Sequence, residues 1–180
     1  MSYHVPVLLK QSVEGLNIQA GGIYVDATFG GGGHAQAIFK KMKRGTLVAF
    51  DQDPDAAQNI ASFESDRQRS FIFVSSNFRY LKRYLKFYKI DKVDGILADL
   101  GVSSHQFDQQ NRGFSTRLDG SLDMRMDQAS SNTAAKIINE YSQEELIKLL
   151  SRFGEIRNAR RLAAEILSAR AKEPINTTAA

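Results

Sequence analysis

Aspartates and glycines form the part of this chain with the clearest chemical potential. Asp26 precedes four successive glycines at 30–33, which are followed by His34, in the segment DATFGGGGHA. Asp51 and Asp99 come later, in AFDQDP and LADLGVSSHQ. Glycine lets a backbone approach a ligand closely, and carboxylates accept hydrogen bonds from hydroxyl or ammonium groups. The combination is typical of a binding site for a ligand that contains a nucleoside.

The glycine run is compatible with more than one such ligand. It lacks the lysine of a phosphate-binding P-loop, which excludes that class. A dinucleotide pattern, G-x-G-x-x-G/A, is formed by Gly30, Gly32 and Ala35, and Asp51 could accept the ribose hydroxyls. An S-adenosylmethionine site also explains Asp26, because a carboxylate suits an ammonium group better than a pyrophosphate. Adenosylmethionine is therefore favoured, while NAD and a tight turn without a ligand stay open.

Four apolar segments predict the strands that position these side chains. They cover residues 23–27, 45–53, 70–76 and 93–101. Segments of helical composition follow the first three, and Asn77 is the expected N-cap of the third helix. Alternating strands and helices predict a parallel sheet of the doubly wound α/β class. Ligands of such sheets bind beyond the carboxyl ends of the strands, where Asp26, Asp51 and Asp99 all fall.

The second half of the chain follows a different pattern. Residues 107–130 are mostly polar and predict a connecting loop, of a length that is usually functional. Residues 131–180 predict helices only, with Ser142 and Glu145 spaced as a capping box. We therefore expect residues 1–106 to be the N-terminal part of a catalytic domain and 131–180 to be part of a helical one. The fourth strand would be an apolar sheet edge, so we also expect the natural protein to continue past Ala180 with further strands.

A basic segment follows the third strand. Its side chains are Arg79, Lys82, Arg83, Lys86, Lys89 and Lys92, a second basic cluster, KKMKR, stands at 40–44, and the whole chain carries a net charge of +4. Phe78, Leu81, Leu85 and Tyr88 have helical spacing and are expected to face the sheet. The basic side chains would then form either a surface that contacts RNA phosphates or a solvated helix face. Both interpretations stay open.

Composition excludes several other classes. No apolar run approaches the about 20 residues of a membrane span, and the N-terminus lacks the pattern of a signal peptide. The chain has no cysteine, and its three histidines are far apart, so neither a disulfide nor a metal site is predicted. With 42% hydrophobic residues, we expect a cytoplasmic globular protein with no membrane partner.

Four longer blocks carry a family resemblance. They are HVPVLL at 4–9, DATFGGGGH at 26–34, DGILADLGVSS at 94–104 and RGFSTRLDGSLDMRMD at 112–127. In them the chain resembles the N-terminal part of the bacterial 16S rRNA N4-cytosine methyltransferase family. The resemblance implies an adenosylmethionine-dependent enzyme with a Rossmann-like class I sheet, incomplete here, and an inserted helical domain. Its target would be the exocyclic N4 of a cytidine in the decoding region, presented by 16S rRNA or by the small ribosomal subunit.

The resemblance also implies which residues contact the cofactor. They are Gly32, Gly33, His34, Asp51, Phe78, Asp99 and Gln106, to which the residue chemistry adds Asp26 and Gly30. Asp99 is in addition the candidate catalytic residue, as an acceptor for the N–H bonds of the cytidine amine. Gln11 and His105 stand where many relatives have glutamate and proline. The segment 112–127 is the candidate lid or substrate contact.

Two other functions stay open at this point. The chain could be a catalytically incomplete fragment that binds only adenosylmethionine or RNA, or, more remotely, an NAD-dependent oxidoreductase. The sequence does not decide the oligomeric state, and a homodimer is among the assemblies that it allows.

Overall fold

Two compact units make up the described part of the chain. The computed structural model describes residues 6–117 and 119–180. The first unit ends at Ser103 and the second begins at Ser104. Residues 1–5, which include part of the HVPVLL block, lie outside the described residues, as do Leu118 and the side chains of residues 104 and 105.

A four-stranded parallel sheet organises the first unit. Its strands are β1 (Ile23–Asp26), β2 (Gly45–Asp51), β3 (Arg69–Ser75) and β4 (Gly95–Leu97), in the order β3-β2-β1-β4. The predicted parallel α/β class is confirmed, and β4 forms one edge among the described strands. The predicted strand over 93–101 is too long, because only three of its residues pair with β1. The chain of β1 leaves the sheet after Asp26, so the residues beyond Leu97 have no strand to pair with.

Helices cover both faces of this sheet. They are α1 (Leu9–Gly15), α2 (Gly33–Lys41) and α3 (Leu81–Phe87), together with 3-10 helices at Pro54–Ser62 and Phe78–Tyr80. The core beneath α2 includes Ile38 of that helix with Tyr24 and Leu47 of the sheet. Successive strand residues point to opposite faces, so Val25 and Val48 pack on the other side, with Leu85 of α3. The unit is therefore wound on both sides of its sheet.

The orientation of α3 differs in part from the prediction. Leu81 and Leu85 face the sheet as expected, and Tyr84 joins them. Phe78 and Tyr88 do not face it, since 42% and 37% of their surfaces are exposed. Phe78 lies in a 3-10 turn before the helix and Tyr88 is the residue that caps its end, so neither follows the α-helical spacing used in the prediction. Asn77 does cap the turn, because its side chain accepts a hydrogen bond from the Arg79 N–H.

The second unit is helical. Its helices are α4 (Ser104–Asp108), α5 (Ala134–Glu140), α6 (Gln143–Arg152) and α7 (Ala159–Arg170), with a 3-10 turn at Gln110–Arg112. The predicted capping box of Ser142 and Glu145 begins α6. Among its described residues, the stretch between the 3-10 turn and α5 contains one isolated bridge, from Ser121 to Thr177. No helix in the described ranges combines the length and the apolar character that crossing a membrane requires.

Candidate ligand-binding site

The glycine run forms a tight turn between β1 and α2. Gly30 and Gly32 have left-handed backbones, with φ of +49° and +76°. A side chain at Gly32 would lie 3.1 Å from the Phe29 ring, and one at Gly33 would overlap Pro6. A side chain at Gly30 would meet nothing within 4 Å. The protein's own packing therefore leaves no room for a side chain at Gly32 or Gly33, while Gly30 has an open side.

Asp51 holds this turn in place from the end of β2. Its Oδ2 accepts a hydrogen bond of 2.7 Å from the Gly30 N–H, and its Oδ1 accepts one of 2.9 Å from the Asp53 N–H. The Asn59 side chain donates to the Gly30 carbonyl oxygen at 3.1 Å. The Gly30 peptide is thus fixed on both sides. Each carboxylate oxygen can accept more than one hydrogen bond, so Asp51 keeps capacity for the hydroxyls of a ligand.

Thr28 links the ends of β1 and β4. Its N–H donates to Asp26 Oδ1 at 3.1 Å, and its Oγ1 accepts from the Asp99 N–H at 2.7 Å. The Asp99 side chain is 53% exposed, and its Oδ2 lies 4.0 Å from Nδ1 of His34. One threonine therefore positions two of the three aspartates that the sequence singled out.

Burial makes Asp26 the electrostatic centre of the site. The pKa of Asp26 is raised to about 7, mainly by desolvation and also by the nearby charges of Asp51 and Asp99. The hydrogen bond from the Thr28 N–H acts in the opposite direction and lowers the pKa. Burial also raises the pKa of Asp51, although backbone N–H groups of Asp53 and Gly30 oppose the shift. No described lysine or arginine forms an ion pair with any of the three carboxylates. The arrangement favours a cationic ligand.

Two buried polar atoms beside the turn lack hydrogen-bond partners. Within the described residues these are Asp26 Oδ2 and His34 Nε2, although the backbone N–H of Ala35 lies close enough to the Asp26 carboxyl to lower its pKa. Buried polar atoms are almost always hydrogen-bonded, and leaving one unpaired costs about 1–3 kcal/mol. Such atoms on both sides of a turn with an open face fit a site that a polar ligand completes.

The predicted site residues converge in part. Asp26, Asp51, Asp99 and the glycine turn lie at the carboxyl edge of the sheet, around the point between β1 and β4 where the strand order reverses. Open α/β sheets bind ligands at such a point. Phe78 follows β3 at the same edge, and Asn77 beside it donates to the Gln52 side chain at 2.6 Å. Gln106 belongs to α4, in the second unit.

Thr28 and Asn59 are contributors that the sequence reasoning missed. Thr28 stands two residues after Asp26, a spacing that suits a carboxylate accepting from the backbone, and this was the available signal. Asn59 reaches Gly30 from a 3-10 helix far along the chain, and nothing in its local sequence indicates that contact.

Comparison with known proteins identifies the family. The sequence pattern of the MraW methylase family matches residues 1–180. The chain belongs to the MraW methylase family. The methyltransferase resemblance found in the four sequence blocks is thereby confirmed.

Curated relatives of this MraW family chain carry the name ribosomal RNA small subunit methyltransferase H. The protein of Cytophaga hutchinsonii is 55% identical over 98% of the chain, which covers 58% of that relative. The proteins of Amoebophilus asiaticus and Christiangramia forsetii are 54% and 53% identical, over 98% and 99% of the chain and over 56% and 58% of the relatives. The chain thus spans somewhat more than half the length of the curated relatives that it matches.

Replacing Asp26 with asparagine should stabilise the fold near neutral pH. The pKa of Asp26 in the folded state, about 7, lies above the unfolded value of 3.8. The stabilising contribution of its neutral form is complete below the unfolded value and is lost as pH rises toward 7. Urea unfolding should therefore give Asp26→Asn an advantage on the order of a few kcal/mol near pH 8 that shrinks toward pH 4.

Asp66→Asn is the control of opposite sign. The hydrogen bond from the Arg69 side chain lowers the pKa of exposed Asp66, so this contribution is present above the unfolded pKa and is lost as pH falls. If the free energy of unfolding varied with pH in the same way for the unaltered protein and for Asp26→Asn, the account of Asp26 would be contradicted.

Alanine substitutions at two glycines of the turn should separate the cost of left-handed backbone strain from the cost of steric overlap with the Phe29 ring. Both Gly30→Ala and Gly32→Ala introduce a left-handed alanine, which costs about 1 kcal/mol. Gly32→Ala also presses on the Phe29 ring and should lower the thermal midpoint further. Equal losses, measured by thermal unfolding, would show that the ring contact is unimportant.

Proposed function

We propose that this chain is the adenosylmethionine-binding part of an enzyme that methylates the exocyclic N4 of a cytidine in 16S rRNA. One observation carries the proposal. Three carboxylates, from Asp26, Asp51 and Asp99, lie near one another at the carboxyl edge of the sheet, where the charges of Asp51 and Asp99 raise the pKa of Asp26 and Asp51 holds the Gly30 N–H, and no described lysine or arginine forms an ion pair with them. The ribosomal RNA methyltransferase names of the curated relatives support the same reaction.

Each residue around the turn has a proposed part in holding the cofactor. The Asp51 carboxylate would accept hydrogen bonds from the ribose hydroxyls. The buried Asp26 carboxylate would form an ion pair with the ammonium group of the methionine part. Backbone N–H groups at the start of α2 suit the methionine carboxylate, because a helix N-terminus attracts anions. Phe78, His34 and Gln106 are the remaining proposed contacts, on the grounds of the family resemblance. When bound, adenosylmethionine supplies a methyl group on a positively charged sulfur.

Asp99 is the proposed catalytic residue. Its side chain is half-exposed, its backbone N–H is held by the Thr28 hydroxyl, and its carboxylate lies 4.0 Å from Nδ1 of His34. The lone pair of the cytidine amine is delocalised into the ring and is a poor nucleophile in that form. A carboxylate that accepts a hydrogen bond from the amine localises the pair and stabilises the positive charge that develops on the nitrogen, and the surplus amine proton passes to that carboxylate when the amine is methylated. The rest of the rate enhancement comes from alignment of amine and donor.

The remaining assignments are proposals about the larger protein. The helical second unit corresponds to the inserted domain of the family, and the segment 112–127 contacts the RNA target. The target base is turned out of its surroundings to reach the crevice, as enzymes that act on bases generally require. A ribosomal substrate would place the enzyme in the cytoplasm.

Methyl transfer provides the test of this function. Purified chain should transfer labelled methyl from adenosylmethionine to small-subunit RNA, and Asp99→Asn should reduce the rate by roughly 100-fold or more. Glu64→Gln is the matched control, because it removes an exposed carboxylate that lies two residues after the end of the Pro54–Ser62 helix and should leave the rate unchanged.

The alternatives give different results in the same experiment. Cofactor binding without transfer to either naked RNA or assembled subunits would indicate an incomplete fragment. Binding of NADH in preference to adenosylmethionine would indicate an oxidoreductase. Full activity of Asp99→Asn would remove Asp99 from the chemistry.

A further inference from the structure

The surface formed by residues 78–92 has an unusual charge balance. It carries six basic side chains and one acidic one, Asp91. All six basic side chains are exposed, and none of them forms an ion pair within the described residues. We call this the α3 surface. Charge of one sign over a single helix and its flanks attracts a polyanion.

Exposed aromatic rings lie among these charges. Phe87 is 75% exposed, Tyr80 46% and Tyr88 37%. These rings do not pack against the sheet, because the side of α3 that faces the sheet is formed by Leu81, Tyr84 and Leu85. The Phe87 and Tyr88 rings contact each other edge to face at 5.1 Å, and the Arg79 guanidinium lies 5.4 Å from the centre of the Tyr80 ring. Folding therefore leaves an apolar surface that a partner can cover.

The α3 surface begins beside the candidate ligand-binding site. The hydrogen bond from Asn77 to Gln52 ties the start of the helical segment to the residue after Asp51. The helix then runs back along the sheet, and residues 80 and 88 are about 12 Å apart at 1.5 Å per residue. A strand of nucleic acid on this surface would lead to the carboxyl edge of the sheet.

We propose that the α3 surface binds a single-stranded segment of RNA, with its basic groups on the phosphates and its exposed rings stacked on unpaired bases. The proposal rests on the proposed function for the choice of RNA. Basic residues interleaved with aromatic ones are the combination by which proteins hold single strands, whereas a duplex would leave the rings without a role. An acidic protein would satisfy the charges but offers no flat bases to the rings.

Lys89 provides a variant that separates binding from folding. It ends the helical segment with a left-handed backbone, φ +58°, while the Ile90 N–H donates to the Leu85 carbonyl oxygen at 2.8 Å. Glycine is the residue that usually occupies this position. Lys89→Gly should therefore keep or raise the thermal midpoint while it weakens RNA binding.

Fluorescence anisotropy with labelled RNA tests the proposal. The probe is a single-stranded RNA of mixed sequence, compared with its duplex, over a series of KCl concentrations. Phe87→Ala should weaken single-strand binding by roughly 5-fold or more with an unchanged salt slope. Lys82→Gln combined with Lys86→Gln should lower the salt slope by roughly 1.4, since each phosphate contact contributes about 0.7.

Matched controls come from other surfaces of the same chain. Lys40→Gln combined with Lys41→Gln removes two exposed charges from α2, on the opposite face of the sheet. Phe153→Ala removes a ring that is 77% exposed, in the second unit. Both controls should bind the single strand within about 2-fold of the unaltered chain.

The outcomes distinguish this proposal from the proposed function. Equal losses in the α2 and α3 charge variants, or no effect of Phe87→Ala, would overturn the α3 surface as the binding site. Equal affinity for duplex and single strand would overturn the stacking role. Cofactor binding and methyl transfer are measured on the same samples. If the unaltered chain shows both activities and the α3 variants bind RNA normally, the surface proposal alone fails. If it shows neither activity, the proposed function fails.

Discussion

The burial of one carboxyl group governs the candidate site. Asp26 is fully enclosed at the end of β1, where the chain turns into the glycine run. Taking a charged carboxylate out of water is costly, and neighbouring carboxylates add to the cost, which is why its pKa rises to about 7. A core residue at this position would stabilise the fold better. Under the proposed function, the site keeps a group whose charged form becomes favourable when the ammonium of the ligand arrives.

The surrounding contacts preserve this arrangement. Thr28 joins Asp26 to the backbone of Asp99, and Asp51 fixes the glycine turn through the Gly30 N–H. Gly32 is bare because the Phe29 ring occupies the space beside it. The turn is therefore built by the protein's own packing and is in place without a ligand. The turn itself therefore loses little conformational entropy on binding, whereas Asp26, which has no exposed surface, must first be uncovered before a ligand can reach it.

The sequence predicted the parts of the molecule that depend on local pattern. The apolar strands, the caps at Asn77 and Ser142 and the parallel sheet all follow from residue type and spacing. Contacts over longer distances were not predictable in this way. The donation from Asn59 to Gly30 and the overlap between Gly33 and Pro6 depend on how separate segments meet. The exposure of Phe78 and Tyr88 depends on a 3-10 turn that periodicity does not reveal. All of the predicted cofactor contacts, including those at Phe78 and Gln106, stay predictions.

Calorimetry of adenosylmethionine binding near pH 6, in buffers of different ionisation enthalpy, tests the central claim about Asp26 most directly. A ligand amine with a pKa of about 8 is already charged at that pH, so a proton exchanged on binding would come from the protein. If the ammonium pairs with Asp26, binding should release close to one proton, and Asp26→Asn should bind without release. Tight binding with no proton release by the unaltered chain would contradict the account.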